Sequence, residues 1–86
     1  MNKLWAKIIK NDKIKKDYVL PISSFNSKNL YDYLKQICYE LKIETPIVLT
    51  KHTSQMEEYG MTKFSKDDFV DYIDFDSLIL NYLEQP

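Results

Sequence analysis

Lys3-Leu4-Trp5-Ala6-Lys7-Ile8-Ile9-Lys10, then Asn11-Asp12-Lys13, then Ile14-Lys15-Lys16-Asp17-Tyr18-Val19-Leu20, is the stretch that decides the fold. Two β-branched and aromatic segments flank a short polar break, which is the pattern of a β-hairpin. With Lys10 opposite Ile14, Leu4, Ala6, Ile8, Tyr18 and Leu20 share one face. Trp5, Ile9 and Val19 share the other, with Lys7 directly across from Asp17. Pro21 is expected to end the second strand, because proline cannot donate a ladder hydrogen bond.

Downstream, Ser27 is placed to cap a helix over residues 28–41. Leu30, Leu34, Ile37, Cys38 and Leu41 recur with helical period, and Asp32, Lys35, Tyr39 and Lys42 fall away from that stripe. Glu44-Thr45-Pro46 interrupts the pattern. The apolar run Ile47-Val48-Leu49-Thr50 then predicts a short strand buried on both faces. Ser54 with Glu57 has capping-box spacing, and Gly60 stands where a helix stop is expected. Met61 to Phe64 reads as a strand, Ser65 with Asp68 as a second cap, and Leu78 to Leu83 as a final strand. This order predicts a single α+β domain over residues 1–86, with an N-terminal β-hairpin and one main amphipathic helix on a small mixed sheet, in a β-grasp-like order. The final strand is apolar enough to sit centrally, beside the first.

Composition narrows function mostly by subtraction. The 86 residues include one Gly, one His, one Cys and no Arg among 44% apolar and 14% aromatic content. A lone Gly60 cannot build a phosphate-cradling loop, and one thiol with one imidazole falls short of the roughly four ligands of a zinc site. A formal net charge of −1 creates no global attraction for nucleic acid or membrane. An unpaired Cys38 and the absence of a long apolar segment lead to the expectation of a cytoplasmic protein without membrane contact. No cofactor, metal ligand set or catalytic residue is expected.

The segments Leu4–Ile14 (LWAKIIKNDKI), Thr45–His52 (TPIVLTKH) and Phe64–Leu78 (FSKDDFVDYIDFDSL) resemble a small uncharacterised family of Firmicutes. The resemblance implies no activity, cofactor or residue role.

The remaining constellations have plain structural readings. Cys38 lies in the helix stripe, where cysteine acts as a small hydrophobe, so reactivity is not expected. His52 follows an apolar run near Glu57 and Glu58, and it is the residue to inspect for acid–base chemistry. Asp67, Asp68, Asp71, Asp74 and Asp76 are dense in carboxylate but lack the Gly and closing Glu of a calcium loop. Seven tyrosines and Trp5 exceed what so small a core can hold fully buried, and Tyr31, Tyr39 and Tyr59 are expected to be partly exposed.

The chain is polarised. Residues 1–16 carry six lysines against one aspartate, a formal +5, and residues 67–86 carry six carboxylates and no lysine, −6. Neutralisation within one sheet is the favoured arrangement.

These features favour a non-enzymatic interaction module that binds a protein partner or a second copy of itself. Its candidate interaction surface comprises Trp5, Lys7, Ile9, Val19, Tyr39 and His52. Nucleic-acid binding through the Lys-rich hairpin is the alternative, weakened by the missing arginines. A small enzyme using His52 with a carboxylate is the third reading.

Overall fold

The structure, a computed structural model, describes residues 2–84. It is an α+β arrangement in which β1 (Asn2–Lys10), β2 (Lys13–Ile22), β3 (Met61–Ser65) and β4 (Ser77–Glu84) form one sheet in the order β2-β1-β4-β3. Helices α1 (Leu30–Leu41) and α2 (Thr50–Tyr59) lie between β2 and β3 in the chain. Every neighbouring strand pair is antiparallel, where the sequence pattern predicted a mixed sheet. The difference traces to residues 47–50. Without a strand there, four strands remain and all of them pair antiparallel. The last strand does lie beside the first, as its apolar content requires.

The hairpin turns through Asn11 and Asp12, both at positive φ (54° and 64°), as a two-residue turn of the kind that matches strand twist. Asn and Asp tolerate this region better than other side chains. Lys10 therefore pairs with Lys13 and not with Ile14 as expected, and a bulge between Ile8 and Ile9 on β1 and their partners on β2 shifts the register by one. Beyond the bulge, Lys7 faces Asp17, Trp5 faces Val19 and Leu4 faces Leu20, the register read from sequence. Pro21 does not end β2. That strand is a sheet edge, so a missing N–H removes no ladder bond.

Leu30, Leu34, Ile37, Cys38 and Leu41 of α1 are all buried against Leu4, Ala6 and Ile8 of β1 and Leu78 and Leu80 of β4. The cap differs from the expectation. Asn26, not Ser27, accepts the Lys28 N–H at 3.0 Å, opening a 3-10 turn over Ser27–Asn29. The Ser27 hydroxyl instead donates to the Glu57 carboxylate on α2. Lys42, at φ 59°, closes α1 with left-handed geometry.

The Ile47–Leu49 run is not a strand, and Thr50 already belongs to α2. Pro46 is buried and Val48 packs on the core, while Ile47 and Leu49 are each 46% exposed. The segment pairs with no strand: its Ile47 N–H donates to the Asp68 carbonyl at 2.7 Å, beside the 3-10 turn that follows β3. Helix α2 begins four residues before Ser54, which sits inside the helix instead of capping it. Gly60 ends α2 at φ 68°, donating to the Met56 carbonyl as expected of a glycine stop. The second cap is present: Asp68 accepts the Ser65 N–H at 2.9 Å. Past it, Phe69 and Phe75 meet edge-to-face at 5.6 Å and close the far end of the core.

Candidate interaction face

Strand alternation gives β1, β3 and β4 a buried row and an outward row, and β2 a half-buried row of Tyr18, Leu20 and Ile22 and an outward one. The buried rows are Leu4-Ala6-Ile8, Thr62-Phe64 and Leu78-Leu80, and both helices pack on that side. The outward rows form a second face that no element among the described residues covers. On β1 it presents Lys3, Trp5, Lys7 and Ile9. On β2 it presents Ile14, Asp17 and Val19, paired across from the β1 row. On β4 the same row continues as Ile79, Asn81 and Leu83, and on β3 as Met61 and Lys63.

Trp5 is half-buried and held on two sides. Its indole N–H donates to the Asp17 carboxylate at 2.8 Å, and the Lys7 ammonium lies 4.3 Å from the ring centroid. Lys7 and Asp17 are opposite each other as expected, yet the indole joins them instead of a direct ion pair. Such a cation over an aromatic ring is worth about 0.5–1 kcal/mol at an exposed site. The result is a braced apolar platform with a cationic surround. Asn81 sits between Trp5 and Met61 in the strand pairing, and its Oδ1 is covered yet has no hydrogen-bond donor among the described residues.

Trp5, Lys7, Ile9 and Val19 are thus brought together as the sequence indicated. Tyr39 is not with them. It is 82% exposed, but it stands on α1, on the opposite side of the sheet, beside a groove of about 360 Å³ between β2 and α1. His52 leaves the candidate surface altogether, because it is fully buried. Tyr31 and Tyr59 are exposed, as their number implied.

The His52 ring occupies the third position of α2, where its Nδ1 accepts the backbone N–H of Leu49 at 2.9 Å. It packs on Phe64 with ring centroids 4.2 Å apart. Since Nδ1 is the acceptor, the neutral ring carries its proton on Nε2, which lies 3.4 Å from the Asp68 carboxylate. Burial pulls the His52 pKa below the usual histidine value, more strongly than Asp68 raises it. Burial also acts to raise the Asp68 carboxyl, but the Ser65 N–H and the neighbouring His52 and Lys51 carry it below the ordinary range. This constellation closes helix α2 over the core and offers no exposed base to a substrate. Asp68 as the partner of His52 was not legible, since sixteen residues separate them.

Elsewhere, burial pushes the Cys38 thiol up to about 12, against a weaker opposing hydrogen bond with Thr45. The polarised ends meet at the hairpin turn. Asp76 accepts the Asn11 N–H at 2.9 Å, and Lys15 pairs with Asp74 at 3.3 Å, holding that carboxyl below its usual pKa. Both partners of the pair are well exposed, so it contributes little to stability. Among the described residues no cluster of three His, Cys, Asp or Glu side chains could hold a metal ion, and no helix is long and apolar enough to cross a membrane. No family model matches the chain, and no curated protein or solved structure is significantly similar to it.

Proposed function

We propose that this protein is a non-enzymatic interaction module that binds a protein partner through the open face of its sheet. One observation carries the reading: a four-stranded sheet has both helices on one side and leaves Trp5, Ile9, Val19, Ile79 and Met61 together on the other. Contiguous exposed apolar surface rimmed by polar side chains is the usual signature of a binding surface. Tryptophan at its centre is the residue type that most often dominates interface energy.

A photo-crosslinking side chain at position 19, compared with one at position 39, tests this in cells expressing the chain. Position 19 should give one discrete adduct that Ile79→Glu removes, and position 39 should give none. The adduct's mass separates a second copy from a different protein. The same adducts from both positions, or none from position 19, would refute the reading.

The nucleic-acid alternative draws on the six hairpin lysines. Three of them are already engaged: Lys7 lies over the Trp5 ring, Lys15 pairs with Asp74, and Lys16 donates to the Leu41 carbonyl. Lys7 also occupies one of the two faces of the Trp5 ring, where a base would otherwise compete for stacking. Tight oligonucleotide binding that weakens steeply with salt would favour that alternative.

A further inference from the structure

We infer that the open sheet face binds an acidic amphipathic helix, an inference that rests on the interaction reading above. Three physical arguments converge on that occupant: charge, length and backbone hydrogen bonding.

The charge of the face is one-sided. Lys3, Lys7 and Lys63 stand against Asp17 alone, a formal +2. Among the described residues none of these lysines makes an ion pair, and the Asp17 carboxylate already accepts the Trp5 indole N–H. A second copy docking face to face would bring two surfaces of the same formal +2 together. A partner bearing Asp or Glu beside an apolar stripe meets the same surface with favourable sign.

The length of the face is that of one helix. Four strands at about 4.8 Å spacing and eight residues at about 3.3 Å rise give a face of roughly 19 by 26 Å, about 500 Å². A helix of about 17 residues is about 26 Å long and about 10 Å wide, and it lies along the Trp5–Ile79 centre with its flanks near the lysines.

Backbone satisfaction selects a helix over a strand. A segment lying on a sheet face cannot pair its N–H and C=O groups with the sheet, so it must satisfy them internally. Strand addition needs an edge. Here β2 carries Pro21 with Lys13, Lys15 and Lys16, and β3 is only five residues long. Proline, lysine and short length are the devices that keep sheet edges from pairing.

The test uses two synthetic 18-residue amphipathic peptides that share a leucine stripe and lack tryptophan, one flanked by Glu and the other by Lys. Trp5 is the only tryptophan, so its fluorescence reports binding at this face. The Glu-flanked peptide should bind saturably and about tenfold more tightly than the Lys-flanked one at low salt. That advantage should largely vanish at about 0.5 M salt, where the Debye length falls to a few ångström. Lys63→Gln should reduce the preference while leaving the circular dichroism spectrum and melting temperature unchanged, and Ile79→Glu should abolish binding. Equal binding of both peptides would overturn the acidic-partner inference and leave the face itself as a binding surface. Binding of neither peptide, or tighter binding of a dT oligonucleotide than of the Glu peptide, would also overturn it. The crosslinking comparison at positions 19 and 39 independently reports whether the face binds any protein.

Discussion

Replacing His52 with alanine removes a cap, a packed ring and the chain's single histidine at once, and each loss has its own signature. The Leu49 N–H loses its side-chain acceptor, worth about 1 kcal/mol for a helix cap. The ring's contact with Phe64 is worth roughly 0.5–1.5 kcal/mol beyond buried area, and the space left in a closed core adds about 1–2 kcal/mol. The expected total at pH 7.5 is about 3 kcal/mol, read by urea unfolding.

The pH dependence is the sharper measure. The folded-state pKa of His52 lies below its unfolded value near 6.5, so the unfolded chain binds more protons as pH falls. Its contribution is therefore fully present above about pH 6.5 and is lost as pH drops toward the folded pKa. For a ring that stays neutral when folded, linkage sets the loss between pH 7.5 and 5.5 at about 1.4 kcal/mol. The wild type should weaken toward that limit over this interval, and His52→Ala should be nearly flat. A loss from the substitution below about 1 kcal/mol, or equal pH slopes in the two proteins, would refute the buried-cap account. Asp68 has a folded pKa below its ordinary value, so its share is lost only as pH falls below about 4.

Leu34→Ala, at a fully buried position of the α1 stripe, should cost about 2–5 kcal/mol in the same unfolding assay; under about 0.5 kcal/mol would mean the helix presents another face. Cys38 should react with a thiol reagent far more slowly in the native than in the denatured protein, because burial suppresses the thiolate. Fast native labelling would place the thiol outside the core. Gly60→Ala should cost about 1–2 kcal/mol from left-handed strain alone, since an added Cβ would meet only the Tyr82 carbonyl oxygen at 3.8 Å. A neutral result would show that the helix stop relaxes to another geometry.

What the sequence made legible was whatever one element decides by itself. The hairpin faces, the α1 stripe, the Gly60 stop and the Ser65–Asp68 cap are set by alternation, helical period and local hydrogen bonding, and all four are present. The errors arose where a neighbour decides. Ile47-Val48-Leu49 has strand composition, yet its Ile47 N–H goes to the Asp68 carbonyl and not to a strand, and the helix after it uses a histidine as its cap. Pro21 looked like a terminator because its edge position depends on where β4 goes. The candidate face was half visible. Trp5, Lys7, Ile9 and Val19 are local to the hairpin, whereas their continuation through Ile79 and Met61 depends on the β1–β4 pairing. The continuous run Leu78-Ile79-Leu80 carried a signal, since a strand apolar on both sides leaves one side wanting a cover.

The strand order also fixes when the fold can close. The β1–β2 hairpin is local and can form on the microsecond scale of isolated hairpins. By contrast, β3 pairs only with β4, and β4 reaches back across more than sixty residues to β1. During synthesis, therefore, β3 stays without a sheet, and the apolar stripe of α1 lacks half its floor, until translation has passed residue 84. At 5–20 residues per second the exposed hairpin waits several seconds for its neighbour. The lysines and Pro21 along its outer edge then guard an unfinished sheet as well as a finished one.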